Sequence, residues 1–171
     1  MPARVFKDVI SGPFEDKVIH EFREKGFWAG HVSESGVWKI QDLSINLKGT
    51  STTTLYGEID ALAYMQELNL AILVECKVLN DIRDYRSFKN IISKLVDDNE
   101  GFQAKIEKKG NWVNEALSEY FQVKVSAIYV LLTDIPLPII NFSNDNIFFS
   151  HYDKFFRVLE HLLISAYKLL S

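Results

Sequence analysis

Charged residues interrupt two of the most apolar stretches of this sequence. The run Leu70–Leu79 carries Glu75 and Lys77 among aliphatic residues, and the preceding stretch Thr52–Met65 carries Asp60. An ionised group inside a buried strand is costly unless a partner or a cation compensates it. Two neighbouring carboxylates either raise one pKa or recruit a cation, and hard divalent ions such as Mg²⁺ prefer oxygen ligands. An adjacent ammonium could then stabilise negative charge that develops on a phosphate.

The alternation of side chains along a strand decides which of these groups share a face. In the second stretch, Glu75 and Lys77 project together from one face. The opposite, apolar face of that stretch comprises Leu70, Ile72, Val74, Cys76 and Val78. In the first stretch, Asp60 falls on the polar face with Glu58. The apolar face predicted for that stretch comprises Leu55, Ile59, Ala61, Ala63 and Met65.

The connection between the two stretches fixes how they pair. Gln66–Asn69 is typical of a tight turn between antiparallel strands. A two-residue turn at its centre sets the register and places Asp60 opposite Glu75. Residues that face each other in this way have Cβ atoms about 4.5–5.5 Å apart. The pattern therefore predicts a divalent-cation site with Lys77 beside it, and the alternative is a structural cluster of ion pairs.

At these positions the sequence resembles the PD-(D/E)xK nuclease superfamily, which has the restriction-endonuclease-like fold. The motif is Gly57-Glu58-Ile59-Asp60 followed by Glu75-Cys76-Lys77, with 14 residues between Asp60 and Glu75. Its Gly-Glu-Ile-Asp form resembles the branch that includes archaeal Holliday-junction resolvases and Mrr-type restriction enzymes. The resemblance implies a Mg²⁺-dependent endonuclease that hydrolyses DNA phosphodiester bonds, with Mn²⁺ as a substitute ion.

The resemblance also implies a role for each residue of the motif. Asp60 and Glu75 would be metal ligands, and the main-chain carbonyl of Cys76 would be a third ligand. Lys77 would be the catalytic lysine. Two further polar residues are matched more loosely and would lie beside the ligands: Glu58 and Gln103.

Members of this family tend to supply one more acidic residue from their first helix. A helix is predicted from near Pro13 to just before Gly26, since proline suits a first turn and glycine a position past the end. Its apolar stripe comprises Phe14, Val18, Ile19 and Phe22. Glu15 falls inside that stripe, Glu21 at its edge and Glu24 on the far side. Glu15 is therefore the predicted additional catalytic and metal-binding acid.

The remaining pattern predicts a single domain that spans residues 1–171, and one module of a larger protein is an alternative to a complete protein. The other predicted elements are strands at Phe27–Val32 and Val37–Leu47, a helix at Tyr85–Lys109 ended by Gly110, a helix at Asn111–Phe121, strands at Val123–Leu132 and Ile147–Phe149, and a last helix at Tyr152–Leu170. Pro136 and Pro138 mark a loop. This order predicts an α/β fold, a restriction-endonuclease-like three-layer core with a central mixed sheet flanked by helices.

Composition narrows the classes of function. The single cysteine of the 171 residues excludes an internal disulfide framework and a cysteine-rich zinc site. The four histidines lack metal-ligand spacing, and His151 is expected in a turn that opens the last helix. The sequence has no glycine-rich phosphate loop, signal-peptide stretch or apolar run of membrane-span length, so a cytoplasmic location is expected.

Charge leaves the nucleic-acid partner open. The net charge is −4, but Lys77–Lys109 carries eight basic and six acidic residues. Such a stretch is either a surface that follows phosphates or a solvated helix face. The sequence does not distinguish DNA from RNA as the substrate, or an endonuclease from an exonuclease. A nuclease-like module that binds or scaffolds without cleavage is a further alternative. The resemblance makes restriction, phage defence and DNA repair the leading settings.

The last predicted helix is apolar on most of its sides. Its large apolar residues include Phe155, Phe156, Leu159, Leu162, Leu163, Tyr167, Leu169 and Leu170. One contact surface needs fewer apolar positions than this, so a homodimer through the helix is an alternative to simple core packing.

Overall fold

The computed structural model describes residues 9, 11–49, 54–55, 57–79, 89–90, 93, 102–136 and 147–170. Its elements are α1 Gly12–Glu24, β1 Trp28–Val32, β2 Val37–Ile40, β3 Leu43–Asn46, β4 Ile59–Met65, a 3₁₀ turn Gln66–Leu68, β5 Leu70–Lys77, α2 Phe102–Phe121, β6 Ser126–Thr133, β7 Ile147–His151 and α3 Tyr152–Leu170. In this part of the chain, no helix is long and apolar enough to cross a membrane.

The strands form one mixed sheet. Within the described residues it has seven strands in the order β3-β2-β1-β4-β5-β6-β7. The pairs from β3 to β5 are antiparallel, whereas β5, β6 and β7 run parallel. Parallel neighbours require a crossover, and α2 lies in the connection from β5 to β6. The predicted α/β class with a central mixed sheet flanked by helices is confirmed.

Two apolar cores, one on each face of the sheet, make this a three-layer structure. Helix α2 packs on one face, which we call the α2 side, through Ile106, Val113 and Leu117. Helices α1 and α3 pack on the other face, which we call the α1 side, where Phe22 of α1 contacts Phe156 of α3 edge-on. Because both faces are covered, the central strands are buried and their sequences are almost continuously apolar.

The first and last helices follow the sequence pattern closely. Helix α1 has Pro13 in its first turn and ends at Glu24, and Gly26 follows with a φ of 87°. Its predicted apolar stripe is buried, together with Glu15. The last helix has the predicted bounds. These two elements are specified locally, because their apolar periodicity and end signals agree.

Several predicted elements differ from the structure. Of the described part of the expected strand Thr52–Met65, only Ile59–Met65 forms β4, and Gly57 before it has a φ of 77°. The expected strand Val37–Leu47 is a hairpin, in which β2 and β3 pair with Ile40 opposite Leu43. The two-residue turn between them holds Gln41 at a φ of 51°, a conformation that the apolar pattern alone does not reveal.

Gly110 does not end a helix. Helix α2 is continuous from Phe102 to Phe121 and contains Gly110 in its interior. A Cβ atom at this position would lie 2.2 Å from Cε1 of Tyr129, so glycine lets the helix approach β6 closely. The prediction of two helices separated at Gly110 was therefore wrong, because a glycine required for close packing looks like a helix end in the sequence. Most of the predicted Tyr85–Lys109 helix lies outside the described residues.

Candidate active site at the end of the central strands

The β4–β5 hairpin has the predicted register. The pairs run from Met65 opposite Leu70 to Ala61 opposite Val74. Asp60 and Glu75 are the next two residues in this register, so the hairpin brings the two carboxylates to the same end of the central strands. The 3₁₀ turn supplies the reversal, and Asn69 adopts the left-handed conformation at its end.

Strand β4 carries a bulge at Asp60. On its other edge, Gly30 pairs with Leu62 and Val32 pairs with Ile59. His31 of β1 therefore faces two residues of β4, which is the geometry of a β-bulge. The predicted alternation was wrong here, since Ile59 packs on the α2 side with Leu62 while Ala61 packs on the α1 side. A bulge depends on the neighbouring strand, and period-two reasoning on one strand does not reveal it.

The Asp60 carboxylate lies in an acidic, buried environment. Its Oδ2 accepts a hydrogen bond from the main-chain N–H of Cys76 at 2.8 Å. Burial, followed by the negative charges of Glu75 and Glu15, raises the pKa of Asp60 to about 7. Lys77 and the Cys76 N–H act in the opposite direction but do not outweigh those effects. A pKa raised in this way is expected for a buried carboxylate whose neighbours carry more negative than positive charge.

The Glu75 carboxylate has the opposite environment. Lys77 Nζ lies 3.1 Å from its Oε1, and Lys109 Nζ lies 2.8 Å from its Oε2. Burial on its own would raise the pKa of Glu75, but the two ammonium groups outweigh burial and hold it below the ordinary value. Both oxygens of Glu75 thus carry an ammonium partner.

Sequence reasoning missed Lys109. This residue lies in α2 and is only 8% exposed. It falls three residues after Ile106 and four before Val113, within the buried stripe of the helix. The prediction of Glu15 in α1 rested on the same feature, a charged residue within an apolar stripe. The predicted break at Gly110 divided that stripe and concealed the same signal in α2.

Glu15 lies where the helical phase predicts. Its side chain is 9% exposed, and its negative charge contributes to the raised pKa of Asp60. Of the competing acids in α1, Glu24 is exposed. Glu21 pairs with Lys25 at 3.2 Å and accepts a hydrogen bond from the Tyr152 hydroxyl. The structure thus brings Glu15 close enough to Asp60 for their charges to interact.

Cys76 belongs to the site through its backbone. Its side chain packs in the core on the α1 side. Burial, together with the negative charges of Asp60 and Glu15, raises the pKa of the thiol well above its ordinary value, which disfavours a thiolate nucleophile. In an extended strand the N–H and C=O of one residue point to the same side. The Cys76 carbonyl therefore faces β4, as its N–H does, in the direction from which Asp60 approaches.

The two loosely matched residues have different outcomes. Glu58 lies beside β1, where its Oε2 is 3.4 Å from Nε2 of His31. His31 is thus a neighbour of the site that the sequence did not indicate. Gln103 lies in the first turn of α2, and its side chain falls outside the described part of the chain.

His151 is the last residue of β7 and pairs with Thr133, so the prediction that it lies in a turn was wrong.

Asp134 fixes the chain immediately after Lys77. Its Oδ1 accepts a hydrogen bond from the main-chain N–H of Leu79 at 2.7 Å. Lys77 is in register with Thr133 on β6. Asp134 therefore ties the end of β5 to the end of β6 and limits the movement of the backbone that carries Lys77.

The donor types at this site fit a hard divalent cation. The carboxylates of Asp60, Glu75 and Glu15 and the Cys76 carbonyl are oxygen ligands of the kind that Mg²⁺ accepts. The raised pKa of Asp60 reports negative charge that a cation would compensate. Among the described residues, however, no three acidic, histidine or cysteine side chains are arranged as a coordination cluster. Glu75 is directed at its two lysines, so it would have to exchange one of them for a metal ion.

Comparisons of the chain with family models, with curated proteins and with solved structures give no significant match.

The outer surface of α3 is partly apolar. The helix buries Phe156, Leu159 and Leu163 against the sheet. Its exposed apolar residues are Val158, Leu162, Ile164, Tyr167 and Leu169. Core packing thus accounts for only part of the apolar character of the helix, and a homodimer through this surface stays a prediction.

Proposed function

We propose that this protein is a Mg²⁺-dependent nuclease that hydrolyses phosphodiester bonds in DNA, with a restriction-endonuclease-like core. The observation that supports it best is the meeting of Asp60, Glu75 and Glu15 at one end of the central strands. Burial, followed by the negative charges of Glu75 and Glu15, raises the pKa of Asp60 to about 7, and a bound cation would offset these effects. A strongly shifted pKa with a specific electrostatic cause is typical of functional sites.

Each residue has a defined part in the proposed reaction. Asp60, Glu75, Glu15 and the Cys76 carbonyl would hold the ion, which when bound supplies Lewis-acid stabilisation of charge on the phosphate. Lys77 is the more exposed of the two lysines, with a side chain 28% accessible. Its ammonium group offers only hydrogen-bond donors, so it suits a phosphate oxygen or the attacking water and not the metal ion.

The mixed charge of the site favours a phosphate substrate. Lys77 and Lys109 bring two positive charges beside the three carboxylates. Carboxylates alone would repel a polyanion, whereas an ammonium at the rim attracts it. The location at the end of the parallel strands β5 and β6 is also where open α/β sheets commonly bind ligands.

One observation favours a second candidate, a nuclease-like module that binds nucleic acid without cleavage. Both oxygens of Glu75 are held by lysines, and a permanent ion-pair cluster of this kind would withdraw Glu75 from the ligands of a metal ion. The two candidates differ in whether Glu75 contributes to binding of a divalent ion, because only the enzyme requires Glu75 to release a lysine.

The decisive experiment is a cleavage assay with several substrates. Supercoiled plasmid, linear duplex, single-stranded DNA and RNA are each incubated with the purified chain and Mg²⁺, Mn²⁺ or chelator. We expect metal-dependent cleavage of at least one DNA, and none with Asp60→Asn. Cleavage of RNA alone would redirect the proposal to an RNA-directed enzyme. Binding without cleavage of any substrate would support the inactive module.

Calorimetric titration with Mn²⁺ tests the metal site independently of substrate. Asp60→Ala should abolish the binding that the wild type shows, because the ion loses its most strongly required ligand. Replacement of the exposed Asp16 by alanine is the matched control, since that carboxylate lies on the solvent side of α1. Equal binding by the wild type and Asp60→Ala would remove Asp60 from the metal site.

A further inference from the structure

Lys109 has no role in the nuclease motif, yet it lies closer to Glu75 than the motif lysine Lys77 does. Its Nζ lies 2.8 Å from Oε2 of Glu75, and its side chain is 10% exposed. Lys77 contacts the other oxygen at 3.1 Å with a side chain that is 28% exposed. Lys109 is therefore the more buried and more closely held of the two partners of Glu75.

The fold places Lys109 there by a specific packing arrangement. Gly110, the next residue, lies against the ring of Tyr129, where a Cβ atom would come within 2.2 Å of Cε1. This close approach of α2 to the sheet brings the adjacent lysine to β5. The contact is thus built into the helix–sheet packing and does not depend on a mobile surface side chain.

A divalent ion and Lys109 have opposing requirements at Glu75. A metal ion needs an oxygen of the carboxylate, but both oxygens already carry an ammonium group. The ion also repels a buried positive charge a few ångströms away. Removal of that charge would leave Glu75 with one lysine and the other oxygen available.

We infer that Lys109 is an internal competitor of the divalent ion, which occupies Glu75 in the metal-free protein and weakens metal binding at the site. This inference rests on the proposed function, because it assumes that Glu75 is a metal ligand. Lys109 acts through Glu75 and is a positioning residue. Its presence lets the acidic site fold without metal and raises the ion concentration that is needed to occupy the site.

The test is a comparison of Mn²⁺ affinities by calorimetry at one pH and ionic strength. Lys109→Gln keeps a hydrogen-bond donor near Oε2 but loses the charge, and it should bind Mn²⁺ about tenfold more tightly than the wild type. Lys109→Arg keeps the charge and should remain within about twofold of the wild type. Lys105→Gln, in an exposed position one turn earlier in α2, is the matched control and should change nothing.

The outcomes separate this inference from the proposed function. If the wild type binds Mn²⁺ and Lys109→Gln binds it equally or more weakly, the inference alone is wrong. If neither protein binds Mn²⁺, the proposed metal site is wrong as well. Should Lys109→Gln unfold without metal, thermal unfolding at increasing Mn²⁺ replaces calorimetry. A larger rise in Tm than in the wild type supports competition, and an equal or smaller rise contradicts it.

Discussion

The acidic half of the site, Glu15 and Asp60, differs sharply from its basic half, Glu75 with Lys77 and Lys109. Asp60 is buried and Glu75 is largely buried, and the register of the β4–β5 hairpin places them opposite each other. Yet the pKa of Asp60 is raised to about 7, while the pKa of Glu75 is lowered.

The difference lies in the charged groups that surround each carboxylate: Glu75 and Glu15 act on Asp60, whereas Lys77 and Lys109 act on Glu75. Helix α1 contributes an acid beside Asp60, whereas α2 contributes an ammonium to Glu75. Burial alone would raise both pKa values. The comparison teaches that neighbouring strand residues, Glu75 beside Asp60 and Lys77 beside Glu75, have the larger effect on each pKa. The helices add Glu15 and Lys109, which act in the same two directions.

The largest expected effect comes from the exposed lysine of the basic half. Lys77→Ala should lower single-turnover cleavage in Mg²⁺ by about 10²–10³-fold, because one charge-stabilising group is lost from the transition state. Substantial DNA affinity in Ca²⁺ should remain, since at most one phosphate contact disappears. Lys105→Ala, an exposed lysine in α2, is the control. Unchanged cleavage in Lys77→Ala would remove the catalytic role and leave only an ion pair.

A second prediction concerns the stability of the acidic half without metal. The pKa of Asp60 rises from 3.8 to about 7 on folding, so between these values the folded protein keeps a proton that the unfolded chain releases. Metal-free stability should therefore fall as pH rises through this window and remain low above it. Asp60→Asn removes the ionisation and should be more stable than the wild type at pH about 8 by ~2–4 kcal/mol.

Urea unfolding in chelator at several pH values measures this effect. The wild type and Asp60→Asn should converge as the pH falls below about 4, where Asp60 becomes protonated in the unfolded chain as well as in the folded protein. Asp16→Asn, on the exposed side of α1, is the control. Parallel pH profiles for the wild type and Asp60→Asn would show that Asp60 is not the titrating group. The lowered pKa of Glu75 acts only at lower pH, where its protonation removes stability.

The third prediction concerns Gly110, the residue next to Lys109, at the close contact between α2 and Tyr129. Gly110→Ala should lower the free energy of unfolding by ~1–3 kcal/mol, because overpacking against the Tyr129 ring outweighs the better helix propensity of alanine. Asn111→Ala, the exposed next residue, should be neutral or slightly stabilising. Urea unfolding compares the two variants. A Gly110→Ala protein as stable as the wild type would mean that α2 does not need its close contact with β6.

The smallest expected effect concerns Glu15, the acid that α1 contributes to the acidic half. Glu15→Gln keeps an oxygen that can contact the ion but loses the negative charge, so it should reduce cleavage by about tenfold. Glu24→Gln, on the exposed side of the same helix, should leave the rate unchanged. A greater loss in Glu24→Gln than in Glu15→Gln would reverse the assignment of the acid from α1.

Local patterns in the sequence determined much of this structure. The apolar periodicity of α1 and α3, the tight turn after β4 and the hairpin register follow from neighbouring residues, and each has the predicted place. The position of Glu15 within the α1 stripe was equally readable, because helical phase depends only on spacing along one element.

Only the tertiary structure decided the remaining features of the site. The bulge at Asp60 depends on how β1 pairs with β4, and the continuity of α2 depends on the Tyr129 ring that faces Gly110. The contact of Lys109 with Glu75 joins residues 34 positions apart. Spacing along the chain carries no record of such contacts, because their energy arises when separate elements pack. The sequence therefore placed acids and a lysine on strands, and packing determined how each is charged.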